Sequence, residues 1–185
     1  MKKPVSIYRF FAPALLITGI LLASCSTSAS KKEGAPDVDL HTAVVTENAA
    51  AVKQHIAAGS DLNEKDPFGG SSPLITAAVF GKTEMARLLL DAGADFNFQN
   101  NDGSTALISA AFFGRPEIVQ MLLEKGADKT IKNKYETTAL DNVSAPFAAV
   151  KDVYDVMGNA LAPMGLKLDY AYLEKIRPEI AEMLK

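Results

Sequence analysis

The sequence contains few cysteines and histidines, the side chains that most often act as thiol nucleophiles or as nitrogen and sulfur ligands of metals. Cys25 is the single cysteine, and its thiol could act as a nucleophile or carry a covalent attachment. His41 and His55 are the two histidines, and such a pair needs partner carboxylates to hold a metal ion. Ser28 and Lys31 have the S-x-x-K spacing of a serine activated by lysine, but they lie in a short polar stretch. We therefore expect no metal site and no catalytic serine.

Gly81-Lys82-Thr83 matches the end of a phosphate-binding loop, in which backbone N–H groups and a lysine surround the phosphates. The first glycine of that motif would have to stand where the chain has Thr76, and the flanking residues predict helix instead of strand, loop and helix. The chain also contains no G-x-S-x-G or H-E-x-x-H run. These observations predict a protein that is not an enzyme and that uses no cofactor.

The N-terminal segment has the charge pattern of a secretory signal. Lys2, Lys3 and Arg9 make its start basic, and the 14 residues from Phe10 to Ala23 carry no charge. A membrane-spanning helix needs roughly 17–25 apolar residues, so a spanning anchor is the weaker interpretation.

Leu22-Ala23-Ser24-Cys25 resembles a bacterial lipobox, which has an apolar residue, two small residues and a cysteine to be lipidated. The resemblance implies that Cys25 carries a diacylglycerol, that residues 1–24 are removed, and that acyl chains hold the protein on a membrane. The alternative is a free cysteine at the end of an ordinary signal peptide. The protein would then face the periplasm, and in an organism with two membranes Ser26, in place of aspartate, implies the outer membrane. Residues 25–36 are small, polar and charged, and we expect a flexible tether there.

The composition of the chain is that of one folded domain. Its 185 residues are 48% hydrophobic and 22% charged, which is too apolar for a disordered chain. The formal net charge of −3 argues against a general nucleic-acid binder, which needs a basic surface. Loss of Lys2, Lys3 and Arg9 with the leader would change that charge to −6, which favours a partner with a basic surface.

The rest of the chain is built from copies of one pattern. Residues 72–100 and residues 105–133 align with a constant offset of 33, and both contain the run G-A-D. An earlier, weaker copy begins at Leu40, and a fourth copy begins at Thr138. The pattern resembles the ankyrin repeat, whose period is 33 residues and whose landmarks are T-P-L-H-x-A and G-A-D-x-N.

The resemblance covers residues 37–185 and implies an all-α solenoid of about four helix–turn–helix repeats, with a helical insertion in the last. The expected repeats are 37–66, 67–100, 101–133 and 134–185. Ser72, Thr105 and Thr138 precede apolar runs and suit helix N-caps. The glycines at 93 and 126 suit the left-handed position that follows a helix.

Repeat one differs from its neighbours in polarity. It has Gln54 and His55 where repeat two has Leu88 and Leu89, which predicts a polar outer face on the terminal repeat. His41 stands at the histidine position of the T-P-L-H landmark, and the resemblance implies a role in local hydrogen bonding.

The fourth repeat is interrupted. Pro178–Leu184 resembles Pro116–Leu122, but the offset is 62, so about 29 residues are inserted at 147–176. Apolar residues in the insertion recur at helical spacing from Phe147 to Leu161, and Asp169 could cap a short final segment. Two interpretations stay open: a lid over the exposed end of the stack, or a binding element. Its candidate contacts are Tyr154, Met157, Tyr170 and Tyr172.

The resemblance also implies where a partner would bind, because ankyrin arrays bind proteins on their concave side through finger tips and first helices. Aromatic side chains supply much of the binding energy at protein interfaces. The finger candidates are Asp66, Phe68, Phe96, Phe98, Asn101, Asp102 and Tyr135. The first-helix candidates are Val79, Phe80, Phe112 and Phe113, of which Phe80 and Phe113 could instead pack between repeats.

The predicted function is therefore non-covalent binding of another protein by a rigid surface. One candidate role is an inhibitor, such as an immunity protein that blocks a secreted antibacterial toxin. The other is a scaffold or assembly factor for an envelope enzyme. In both roles the membrane is contacted through the lipid only.

Overall fold

The computed structural model describes Gly34 and residues 36–185. The leader, the lipobox with Cys25 and most of the tether lie outside the described residues. Within the described part every regular element is a helix, and none is long and apolar enough to cross a membrane. The predicted all-α fold is confirmed. The helices are α1 (Leu40–Val45), α2 (Ala49–Ala57), α3 (Pro73–Phe80), α4 (Thr83–Asp91), α5 (Ala106–Phe112), α6 (Pro116–Glu124), α7 (Ala139–Ser144), α8 (Phe147–Leu161) and α9 (Tyr170–Leu184).

The helices form pairs that stack side by side. The first three repeats are the pairs α1 with α2, α3 with α4, and α5 with α6. The first helices make one layer, in which α1, α3, α5 and α7 pack in that order, and the second helices α2, α4 and α6 make another. α9 packs against both α6 and α7, so it takes the place of the second helix of the fourth repeat.

One continuous apolar core lies between the two layers. The first helices contribute small residues such as Ala78 and Ala111, whose size lets neighbouring helices approach closely, and both are fully buried. The second helices contribute larger residues such as Leu89 and Leu122, which are also fully buried. Because a single repeat cannot bury its own apolar face, the stacking of repeats supplies the core.

The helix ends form as the sequence predicts. The side chains of Ser72 and Thr105 each accept a backbone N–H from three residues ahead at 3.3 Å. Thr138 caps α7 and exchanges hydrogen bonds with Asp141, which is a full capping box. The glycines after α4 and α6 have left-handed φ angles of 88° and 84°.

Both histidines are bound within the fold. The Nδ1 atom of His41 lies 3.0 Å from the hydroxyl of Thr76, so the histidine has a structural role, but it joins repeat one to repeat two where a local hydrogen bond was expected. His55 is buried, and its Nε2 lies 2.8 Å from the carbonyl oxygen of Val38. The predicted polar outer face is therefore correct for the exposed Gln54 and wrong for His55.

The insertion differs from its predicted form in its last part. α8 begins at Phe147 as predicted, and a single 3₁₀ turn, Ala162–Met164, follows it. Asp169 caps α9 by accepting the N–H of Tyr172 at 3.1 Å. The helix then continues for 15 residues through Pro178, so the predicted short segment and the predicted second helix are one helix. The boundary expected at residue 176 lies inside it.

α9 continues through its proline because one of its faces is buried throughout. Pro178 removes an N–H donor, and a proline inside a helix costs about 3 kcal/mol. Leu173, Ile176, Ile180 and Leu184 recur three or four residues apart on both sides of the proline, and all four are buried. Each buried side chain of this size stabilises by roughly 1.5–3 kcal/mol, so together they outweigh the cost of the proline.

Candidate protein-binding surface

Three loops between repeats form a row of fingers, residues 66–71, 100–104 and 133–137. Each finger is braced by the side chain of its first residue. Asp66 accepts the backbone N–H groups of Phe68, Gly69 and Ser71 at 2.6–2.8 Å. Asn100 and Asn133 each accept N–H groups from residues two and four ahead at 2.9–3.2 Å. This bracing was missed by the sequence reasoning, although an Asx side chain at the start of a turn is a recognisable signal.

The first finger is braced by a carboxylate, and this affects the acidity of Asp66. Partial burial alone would raise the pKa of that carboxyl. The N–H groups of Gly69, Phe68 and Ser71 outweigh the burial because they stabilise the charged form, so the pKa lies below its ordinary value.

The fingers are also tied to one another through their backbones. The N–H of Asn101 donates to the carbonyl of Gly69 at 3.0 Å, and the N–H of Lys134 donates to the carbonyl of Asp102 at 2.8 Å. The three fingers thus form one connected row, which we call the finger row. A surface whose backbone is held in this way loses little conformational entropy when it binds.

The tips of the finger row carry the most exposed aromatic side chains of the described residues. Phe68 is 88% exposed and Tyr135 is 73% exposed. Asp102 stands at the same place in the middle finger, two residues after the bracing side chain, and is exposed together with Asn101. The structure thus brings four of the predicted contact residues together on one accessible row.

Phe96 and Phe98 lie apart from these tips. Both are half-buried and pack against the core of the stack, so the expectation of free surface contacts holds only for their exposed parts. The ammonium group of Lys65 lies 5.6 Å from the centre of the Phe98 ring, within the range of a cation–π contact.

The candidates on the first helices divide into core and surface. Phe113 is 4% exposed, so the prediction of a binding role was wrong, and the alternative of packing inside the molecule is correct. Phe112 is half-buried, and its ring stacks on the ring of Tyr154 at 4.4 Å. Val79 and Phe80 remain half-buried, and Phe80 lines an open groove.

Tyr154 of the insertion is fully buried, so its prediction as a partner contact was wrong. Its hydroxyl donates to the carbonyl of Phe112 at 2.6 Å and accepts from a guanidinium nitrogen of Arg177 at 2.7 Å. Burial raises the pKa of Tyr154, and the neighbouring Arg177 opposes part of that rise. The second terminal nitrogen of Arg177 donates to the carbonyl of Ala145 at 2.8 Å. This cluster fixes α8 against the end of α5.

The remaining candidates of the insertion are partly accessible. Met157 and Tyr170 are half-buried, and the hydroxyl of Tyr170 donates to Asp155 at 2.7 Å. Tyr172 is exposed on α9. The sequence reasoning missed two exposed valines on α8, Val153 and Val156. Their three-residue spacing was visible as part of the apolar pattern of that helix.

Within residues 36–185, no group of three or more histidine, cysteine, aspartate or glutamate side chains could hold a metal ion. The accessible polar groups of the finger row are suited to contact with another molecule.

The family model for ankyrin repeats (3 copies) matches residues 40–133. The chain belongs to the ankyrin-repeat family. Among solved structures, the ankyrin repeat domain of Bcl-3, described as a unique member of the IkappaB protein family, is similar with 36% identity and a TM-score of 0.55. That match covers 64% of this chain and 50% of the other.

Two curated relatives match a shorter part of this ankyrin-repeat protein. They are the protein phosphatase 1 regulatory subunits 27 of Homo sapiens and Mus musculus, each 38% identical over 64 residues. The match spans 35% of this chain and 41% of each relative, so the chain covers less than half of their length. Ankyrin repeats are modules of protein–protein interaction, and this array is such a module.

Proposed function

We propose that this ankyrin protein is anchored by lipid at Cys25 on the periplasmic side of a bacterial outer membrane and inhibits a partner enzyme by binding it. The inhibitor would act as an immunity protein does against a secreted antibacterial enzyme. The lipobox and leader of the sequence support the location. The interaction-module family and the exposed finger row support the binding.

The observation that carries the proposal is the exposure of Phe68 and Tyr135 on a backbone-tied row. Large aromatic side chains held on a rigid surface are the usual anchors of a protein interface. Their burial by a partner would remove apolar surface from water without the cost of ordering a loop. An inhibitor benefits from that rigidity because it must bind tightly.

We expect a neighbouring gene to encode a secreted hydrolase, and the test exports the whole chain with its leader into the periplasm of cells that also export that hydrolase. We expect the intact chain to restore growth. The double variant Phe68→Ala and Tyr135→Ala should lose at least about tenfold in affinity for the hydrolase and should lose protection. Gln54→Ala truncates an exposed side chain on α2, away from the finger row and from every candidate contact, and is the control, which should protect normally. Equal protection by the double variant would contradict the proposal.

The anchor is tested separately from the binding. Globomycin should block removal of residues 1–24, and a Cys25→Ala variant should remain unlipidated and unprocessed by that pathway. Mass spectrometry of the membrane fraction measures the expected acyl groups on the N-terminal cysteine. An unmodified Cys25 in that fraction would contradict lipid anchoring and would leave the binding proposal standing.

A scaffold or assembly factor for an envelope enzyme is the second candidate function, since the curated relatives are by name regulatory subunits of an enzyme, a protein phosphatase. A scaffold would raise or localise the activity of its partner, whereas an inhibitor would lower it. The activity of the purified partner with and without the chain therefore separates the two functions.

A further inference from the structure

An open groove lies at the C-terminal ends of the first helices. The finger row lies at the other ends of these helices. The volume of the groove is about 380 Å³, and it is lined by Val45, Phe80, Lys82, Arg115 and the segment Met164–Lys167. The first four come from repeats one to three, and the segment follows α8 of the insertion. The insertion thus contributes one wall of a site whose other wall is the repeat array.

The groove carries a local charge opposite to that of the whole chain. Lys82, Arg115 and Lys167 line it, and none of its described lining residues is acidic. Lys82 already has a partner, because its ammonium group lies 2.5 Å from a carboxylate oxygen of Glu47. Lys167 is exposed and has no ion pair with any described residue. The groove therefore presents positive charge that its own side chains do not fully neutralise.

Arg115 is the central residue of this charge. One of its terminal nitrogens donates to the carbonyl of Val79 at 3.3 Å, and its Nε is buried without a hydrogen-bond partner. The guanidinium lies so close to Gly81 that a Cβ there would come within 2.8 Å of Nε. Burial lowers the pKa of Arg115, and the nearby Tyr172 and Glu117 oppose part of that fall, although no carboxylate of the described residues lies within ion-pair distance of it. A bound anion would offset the cost of burying this cation.

The remaining lining side chains are apolar, and they supply the smaller part of the accessible surface of the groove. Phe80 and Val45 are half-buried, Leu166 is buried, and Met164 is 47% exposed at the rim. Methionine adapts its shape to different apolar groups, so Met164 suits a wall that receives a side chain. A small inorganic anion would use the cations and leave this apolar wall in water.

We propose that this groove binds an acidic segment of the partner protein. A carboxylate lies beside Arg115 and Lys167, and a neighbouring apolar side chain lies against Phe80 and Met164. The proposal rests on the proposed function and names the chemistry of the partner at a second contact. The positive charge at this groove is local, so the basic partner surface that the net charge of −6 favours stays a prediction for the rest of the molecule.

The test measures binding of a fluorescein-labelled peptide to the whole chain in detergent. The peptide contains the run Asp-Leu-Glu-Phe, and its matched control contains Asn-Leu-Gln-Phe. We expect the acidic peptide to bind, the amide peptide to bind about tenfold more weakly or not at all, and added salt to weaken the acidic peptide. Equal binding of the two peptides, or binding of neither, would overturn the proposal.

Two charge reversals locate the binding. Lys167→Glu places a negative charge in the groove, and Lys53→Glu makes the same change of net charge on the exposed face of α2. We expect the first to lower the affinity for the acidic peptide about tenfold and the second to leave it within about twofold. Equal losses of affinity in the two variants would show a general charge effect and would overturn the proposal that the peptide binds in the groove.

Two further probes separate the other sources of an anion. Inorganic phosphate and vesicles of phosphatidylethanolamine with phosphatidylglycerol are titrated against the wild type and Lys167→Glu. Saturable binding of either probe that is lost in the variant, without peptide binding, assigns the groove to that ligand and overturns the proposal. The proposed function is tested separately, by measuring how the variants bind the partner enzyme. If the finger-row variants lose the partner enzyme and Lys167→Glu keeps it, the groove proposal fails alone.

Discussion

Repeats one to three and the segment 147–184 are joined to the stack by different kinds of contact. In the repeats the same bond recurs: the side-chain oxygen of Asn63 accepts the N–H of Asp95 at 2.9 Å, and that of Asn97 accepts the N–H of Asp128 at 3.0 Å. Within the segment, α9 buries one face in the core, whereas α8 buries only Tyr154 and is attached through single contacts such as the Phe112–Tyr154–Arg177 cluster.

The difference concerns how stability is distributed. A recurring bond spreads the free energy of repeat association over many similar positions, so no one of them dominates. The cluster concentrates the attachment of α8 on one tyrosine and one arginine that is 1% exposed and has no carboxylate partner among the described residues. A single substitution should therefore release α8 while the repeats stay folded.

The largest expected effect comes from Tyr154→Ala. The variant removes a fully buried ring that stacks on Phe112, and it leaves Arg177 and the Phe112 carbonyl without their shared partner. We expect the free energy of opening α8 to fall by about 3–5 kcal/mol. Hydrogen exchange followed by mass spectrometry measures this as faster exchange in α8 and unchanged exchange in α3 to α6.

Two matched variants sharpen that measurement. Tyr154→Phe keeps the ring and removes the hydroxyl, and we expect a loss of about 1–3 kcal/mol in the same place. Leu89→Ala truncates a fully buried side chain of repeat two and should destabilise the repeats by about 2–5 kcal/mol. If Tyr154→Ala accelerated exchange equally in α8 and in the repeats, the two regions would be one cooperative unit.

A smaller effect is expected in the repeats from Asn97→Ala. The variant removes the acceptor for the N–H of Asp128 in the next repeat, and we expect the free energy of unfolding to fall by about 1 kcal/mol. Urea denaturation followed by circular dichroism measures the loss. Thr130→Ala is the control at the equivalent position of repeat three, where the side chain bonds to Asp128 of its own repeat. A larger loss in the control would contradict a recurring bond between repeats.

The smallest expected effect distinguishes one finger from the other two. Asp66 has its pKa lowered in the folded chain below the ordinary 3.8. Its bracing therefore contributes stability above pH 3.8, and that contribution is lost as the pH falls through the folded pKa. Asp66→Asn introduces the bracing residue of the other two fingers. The melting temperature of this variant should fall less on acidification than that of the wild type. An equal acid-induced drop in wild type and variant would show that this carboxylate does not contribute.

The repeats could be predicted from the sequence because their signals are local and recur. Ser72 and Thr105 mark the starts of helices because their side chains accept a backbone N–H only three residues ahead. The period of 33 residues places the same signal in successive repeats. The burial of His55 could not be predicted in this way, because its partner Val38 lies 17 residues earlier and outside any helix.

The sequence predicts the helix in the insertion but does not predict the tertiary contacts that this helix makes. Helical spacing placed Tyr154 on the apolar pattern of α8, but spacing does not show whether a face meets the stack or the solvent. Tyr154 is buried because Arg177, 23 residues further on, and Phe112, 42 residues earlier, meet its hydroxyl. The same limit applies to the binding candidates: Phe68 and Phe113 have the same side chain, and only tertiary packing exposes one and buries the other.

In each finger, one residue fixes the shape of the loop and a different residue forms its tip. Asp66, Asn100 and Asn133 hold the backbone, and the residue two positions later is Phe68, Asp102 or Tyr135 in three loops held by the same kind of bond. A tip can therefore change from aromatic to acidic without a change in the fold. Partner recognition can evolve one finger at a time, by point mutations that leave the stability of the array intact.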